Sequence, residues 1–169
     1  MITRIQGAPP SDTVMEVLLR KSDGLFLYAY CIVEELAKAQ PTLSLERPEG
    51  FPQGLSGIYL KFFEREFKDT EHYKRTIRPL LDVVMAAKGP LPIDLLASAL
   101  DRDVFDVEED LDHLGTLFPR NFATRTVSPF HKSVFDWITN RDSAGAYTVN
   151  LKKSADLLLN ALRKYSTKN

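Results

Sequence analysis

The sequence predicts a mainly α fold, a small helical subdomain followed by a winged helix-turn-helix with a short two-stranded wing. Three observations lead there. Apolar residues recur at helical spacing through most of the chain, the breaker-rich stretch "PTLSLERPEGFPQG" interrupts that rhythm, and two short β-like runs precede a further amphipathic helix. With 169 residues, 44% apolar and 27% charged, the chain suits one ordinary domain or two small ones, globular and with a buried core. Lys and Arg total 22 against 23 Asp and Glu, so no overall field draws it to nucleic acid or anionic membrane.

After "GAPP", Ser11 or Asp12 is placed to cap a short helix carrying Val14, Val17 and Leu18 and ending near "KSDG". Ser22 and Asp23 are then expected to cap a second helix, in which Leu25, Tyr28, Ala29, Ile32, Val33 and Leu36 share one broad face. Proline and glycine between Gln40 and Gln53 break it, and "GLSGIYLKFFEREF" resumes helical spacing with Leu55, Ile58, Tyr59, Phe62, Phe63 and Phe67. Residues 11–70 thus read as the helical subdomain.

Residues 71–142 read as the winged-helix subdomain. "YKRTIRPLLDVVMAAKG" is its first helix, closed by Gly89 and Pro90, "LPIDLLASAL" the second, and "DVFDVEEDLDHLGTLF" the third, with Val104, Val107, Leu111 and Leu114 in step. "TLF" and "RTVSPF", joined by a turn around "PRNFA", form the two wing strands. Residues 143–169 form a C-terminal helix, with Leu157, Leu158, Ala161 and Leu162 on its apolar face, or the start of a following helical or repeat region.

The stretch "SPFHKSVFDWI" holds the most suggestive side chain. Ser128 is expected as the cap and Pro129 in the first helical position, with Phe130, Val134, Trp137 and Ile138 inward. His131 then falls in the opening turn, among N–H groups without intrahelical partners and near the positive end of the helix dipole. The residues leave two readings: a capping or packing histidine, or one that meets an anion.

Other chemistry finds little support. From Asp101 to Asp112 the usual recognition helix holds Asp101, Asp103, Asp106, Glu108, Glu109, Asp110 and Asp112 against Arg102, a surface that repels phosphates. Nucleic acid is therefore not expected as a partner. His72, His113 and His131 lack metal-ligand spacing, and no Gly-x-x-x-x-Gly-Lys-Ser/Thr loop occurs, so no enzyme activity is expected of this chain. Cys31, the single cysteine, reads as a buried structural thiol in a reducing compartment. The N-terminus lacks a signal-peptide core and no run approaches the roughly 18 apolar residues of a membrane span, so a cytoplasmic location without membrane partners is expected.

The order "KSDGLFLYAYCIVEEL", "PEGFPQGLSGIYLKFFEREF", "PLPIDLLASAL", "SPFHKSVFDWI" resembles the part of a NACHT-type STAND nucleotidase that follows the nucleotide-binding core. Pro52, Gly54, Leu55 and Tyr59, followed by Phe62, Phe63 and Arg65, carry the most specific piece, and the resemblance spans roughly residues 11–150. It implies a regulatory latch that closes over bound nucleotide and controls oligomerisation. It also implies that His131 approaches the β-phosphate of ADP and that Gly24, Leu25 and Phe26 stand near adenine. Lys132 stands where the family has an acid, and Phe26 where it has a proline. The implied partner is the nucleotide-binding core of the same parent protein, with a protein partner or homo-oligomer beyond it. No Walker A or B segment occurs in these residues, so the chain reads as a fragment or truncated product. It is expected to need no cofactor and to bind ADP or ATP only with that core.

Two alternatives remain. One is a free-standing interaction module using the acidic third helix or the stripe of the last helix. The other is a DNA binder relying on Lys152, Lys153, Arg163 and Lys164.

Overall fold

The computed structural model describes residues 11–37 and 43–166, apart from the side chains of residues 153 and 164–166. The "GAPP" loop, Lys38, the start of the proline-rich segment and the side chains of Lys153 and Lys164 lie outside the described residues. The fold is mainly helical with a small antiparallel sheet, and the chain divides into two units, Met1–Phe62 and Phe63–Asn169. That division falls inside a helix, ahead of the expected boundary at residue 70.

In the first unit, α1 (Asp12–Ser22) starts where Ser11 Oγ accepts from the Val14 N–H at 3.4 Å, and it buries Val14 and Val17. α2 (Phe26–Leu36) buries Tyr28 and Ile32, which pack with Leu43 and Phe51. Its apolar face is narrower than its sequence suggests, because Leu25, Ala29 and Val33 are exposed. The Tyr28 hydroxyl donates to the Pro52 carbonyl at 2.7 Å, so burying the ring strands no polar atom. A 3₁₀ turn at Pro48–Gly50 is tied down by long side chains: Arg20 holds Glu49 at 2.9 Å, and Lys21 Nζ donates to the Phe51 carbonyl at 2.6 Å. α3 (Gly54–Glu66) opens on Gly54 at φ +59, a conformation that favours glycine.

The second unit takes over within α3 at Phe63. Asp69 accepts from the N–H groups of Glu71 and His72 to start α4 (Thr70–His72), and these bonds, the His72 one foremost, hold its carboxyl below the usual range. A π-helical turn, Tyr73–Ile77, leads into α5 (Arg78–Ala86). Proline lacks an N–H and its ring crowds the carbonyl four residues back. Pro79 thus accounts for the wider turn just before it, in which the Arg78 N–H reaches back to the Tyr73 carbonyl. α5 packs against α6 (Ile93–Leu100) and α10 (Leu151–Ser166), which is why Leu80, Leu81, Val83, Val84 and Met85 are all buried. The tail thereby packs on this unit, although Leu162, expected inward, is exposed.

The sheet corrects the two-stranded expectation. β1 (Leu91–Pro92), read from sequence as the start of a helix, pairs with β3 (Thr126–Val127), which also pairs with β2 (Arg120–Asn121). The order is β1-β3-β2, with Val127 opposite both Leu91 and Arg120. "TLF" is not a strand. The Leu114 carbonyl, at the end of α7 (Val104–Leu114), accepts from both Leu117 and Phe118 at 2.9 Å, turning these side chains into the core. After β3 come α8 (Lys132–Thr139), α9 (Arg141–Ala144) and a 3₁₀ turn, Gly145–Tyr147.

Candidate functional site

α8 begins later than its sequence suggests. Ser128 and Pro129 precede it, the residue before a proline being biased toward extended backbone, and the Phe130 N–H is taken by the Leu117 carbonyl at 3.0 Å. His131 is therefore the cap itself. At φ −152 and ψ 151, its Nδ1 accepts from the Ser133 N–H at 3.1 Å, with Ser133 Oγ 2.7 Å away. Nδ1 has a lone pair to accept with only in the neutral tautomer whose proton is on Nε2, so this hydrogen bond assigns the ring's proton to Nε2. On this exposed residue the imidazole thus combines a cap at Nδ1 with a remaining donor at Nε2. A protonated ring would forfeit the cap. Beside it, Lys132 pairs with Asp136 at 2.7 Å, an exposed i,i+4 pair on the same helix.

In the first unit Gly24, Leu25 and Phe26 form the α1–α2 corner. Asp23 at φ 51 and Gly24 at φ +72 reverse the chain, and Ser22 Oγ accepts from the Gly24 N–H at 3.2 Å while donating to the Leu19 carbonyl at 3.0 Å. Ser22 and Asp23 thus close α1 and do not cap α2, whose N-cap is Leu25 with no side-chain bond. Leu25 is 47% exposed and Phe26 is 85% exposed, with Tyr30 and Val33 following Phe26 at helical spacing on the same exposed face. The corner offers apolar surface and open space above Gly24. Cys31 on α2 is half-buried, and burial together with nearby Glu34 pushes its thiol up, away from nucleophilic thiolate chemistry.

α7 has basic neighbours, but each is matched by acid. Arg102 pairs with Asp110 at 2.7 Å, Arg120 with Asp112, and Arg125 reaches Glu108 at 3.3 Å and Asp94 at 3.4 Å. Asp106 and Glu109 stay exposed, as do Phe105 and Phe122, the latter lying under the Arg120 guanidinium at 5.2 Å. This face has nothing with which to hold a phosphate backbone.

Sequence reasoning did not single out a fourth feature. A cavity of about 630 Å³ in the second unit gathers Lys74, Arg78, Arg141 and Lys152. Their separation along the chain leaves no single motif, and only Lys152 drew notice, as one of the basic residues a DNA binder would rely on.

Comparison with protein-family models, curated proteins and solved structures finds no match to this chain. Among the described residues no His, Cys, Asp and Glu group is arranged to hold a metal ion, and no helix is long and apolar enough to cross a membrane.

Proposed function

We propose that this chain is the helical and winged-helix part of a NACHT-type STAND nucleotidase, a latch that closes over nucleotide held by a separate core and controls oligomerisation. The order α5, β1, α6, α7, β2, β3 with a β1-β3-β2 sheet supports reading the second unit as a winged helix-turn-helix. The observation that carries the functional reading is His131, an exposed imidazole at the start of the helix that follows the hairpin. Its Nε2–H would donate to a phosphate oxygen while Nδ1 keeps the helix start in place. The exposed Leu25 and Phe26 would supply apolar surface beside the base. A latch of this kind acts through contacts present in the closed state and absent from the open one, so each contact removed shifts the balance toward opening.

The test separates contact from cap in the longer protein that carries the core. His131→Asn keeps a good N-cap and loses the Nε2 donor, whereas His131→Ala loses both. ADP release, followed with a fluorescent analogue, is expected to quicken by about tenfold or more in both variants, as for loss of a hydrogen bond to a charged group. If His131→Asn releases ADP at the wild-type rate, His131 is only a cap and the latch reading fails. In that case the exposed Phe105 and Phe122 beside the acidic face of α7 favour the second reading, an interaction module for a basic protein partner.

A further inference from the structure

We infer that the second unit also carries a binding site for a small, multiply phosphorylated anion, independent of His131 and of the latch reading. The site is the cavity of about 630 Å³ between the π-turn and start of α5, the α8–α9 junction and the first turn of α10. Lys74, Arg78, Arg141 and Lys152 line it, and no Asp or Glu is among the described lining residues, the Asp82 carboxylate lying behind Asn150, whose N–H it accepts. In a chain with a formal net charge of −1, that concentration of one sign is local.

The availability of these charges decides the ligand class. Lys74 is partly committed, since Glu71 sits 2.7 Å from its ammonium. Arg78, Arg141 and Lys152 make no salt bridge among the described residues. The Thr139 and Thr148 hydroxyls already donate to the carbonyls of Phe135 and Gly145, at 2.7 and 2.8 Å, so they bring no free proton to a ligand. The side-chain donors left in the lining are therefore the cationic groups and the Asn150 amide, while the Asn150 backbone N–H is already taken by the Asp82 carboxylate at the start of α10. Three uncommitted cations in a concave site match two or three negative charges, and two guanidinium groups favour planar, bidentate contact with phosphate oxygens. The volume lies within the range of small-molecule pockets and exceeds what a lone orthophosphate fills, leaving room for a di- or triphosphate group.

Position also argues against a solvated basic surface. The four cations come from sequence positions 74, 78, 141 and 152 and converge on one concavity. An i,i+4 spacing on one helix explains Lys74 and Arg78 alone.

Calorimetric titration of this chain with sodium tripolyphosphate at 150 mM salt tests the site. Saturable binding is expected, weakened about tenfold or more by Arg78→Gln and by Arg141→Gln, with Lys68→Gln, an exposed lysine outside the cavity, changing it less than twofold. Because Arg141 is exposed, its loss leaves the fold intact, and circular dichroism checks this directly. Tripolyphosphate should also raise the melting temperature of the wild type and not of Arg141→Gln. No saturable binding at millimolar tripolyphosphate overturns the site, and so does a loss in Lys68→Gln equal to that in Arg141→Gln. Tighter binding of a short RNA than of tripolyphosphate, with the same arginine dependence, would overturn the small-anion assignment.

Discussion

In the second unit Phe63, Phe67, Tyr73, Trp137 and Tyr147 are buried against one another, with ring centroids 5.1 to 6.0 Å apart. In the first, Phe26 and Tyr30 stand in solvent on α2, with Met15 and Leu19 exposed on α1. Both units contain buried tyrosines with satisfied hydroxyls: Tyr73 donates to the Tyr147 carbonyl at 2.7 Å, and Tyr28 to that of Pro52. What differs is how much apolar surface each leaves over. α2 is apolar almost all round, a pattern expected of a helix covered on more than one side, yet within its own unit it buries only the Tyr28 and Ile32 face. Periodicity therefore reports how much surface a helix needs covered, and is silent on where the cover comes from.

The largest effect expected from this contrast is on the aromatic cluster. Phe63 is fully buried and touches four other rings, so Phe63→Ala should cost the second unit about 3–5 kcal/mol. Urea unfolding followed by Trp137 fluorescence reads that unit alone, because Trp137 is the only tryptophan. A shift under about 1 kcal/mol would mean that the cluster is loosely packed.

A smaller effect comes from the buried phenols. Burial, with Asp82 nearby, pushes the Tyr73 phenol far up, and burial, with Asp23 nearby, pushes Tyr28 up to about 12. An unfolded tyrosine ionises at about pH 10. With the folded value raised, the unfolded chain loses its proton first, so the stabilisation is complete below about pH 10 and declines above it. For Tyr28 the decline runs to about pH 12, and for Tyr73 it continues beyond. Tyr73→Phe should cost about 1–2 kcal/mol at neutral pH, from the unpaired Tyr147 carbonyl, and should flatten the alkaline fall of the Trp137-reported transition. An unchanged slope between pH 10 and 12 would show that Tyr73 reaches solvent.

The helices were legible because capping and periodicity act locally. Ser11, the end of α1 in "KSDG", and the face of Val107, Leu111 and Leu114 all follow from residues within a few positions of one another, although Ser22 and Asp23, expected to cap α2, close α1 instead. The sheet was not. β1 is two residues long, and its strand character comes from Val127, thirty-six positions away from Leu91, which no local pattern encodes. α8 misled for a similar reason. Ser128 and Pro129 make an acceptable helix start in isolation, but β3 and the Leu117 carbonyl, which takes the Phe130 N–H, keep the chain out of the helix through Phe130, passing the cap to His131. The cavity cations were illegible for the strongest form of this reason, since three elements bring them together.

The smallest stability effect expected is at Phe26, and its smallness is what makes it informative. A side chain 85% exposed has little transfer energy to lose, so Phe26→Ser should change the unfolding free energy of the first unit, from urea titration followed by circular dichroism, by less than about 0.5 kcal/mol. Set beside Phe63→Ala, the same residue type would then differ by several kcal/mol according to its surroundings alone. In a longer protein carrying the proposed core, the latch reading predicts the reverse ranking for nucleotide: Phe26→Ser should hasten ADP release, because burial of that ring would then occur only in the closed state. A stability loss above about 1.5 kcal/mol in this chain would mean that Phe26 is already covered before any core is present. The exposed α2 face would then be part of the first unit's own core, and the contrast between the two units would disappear.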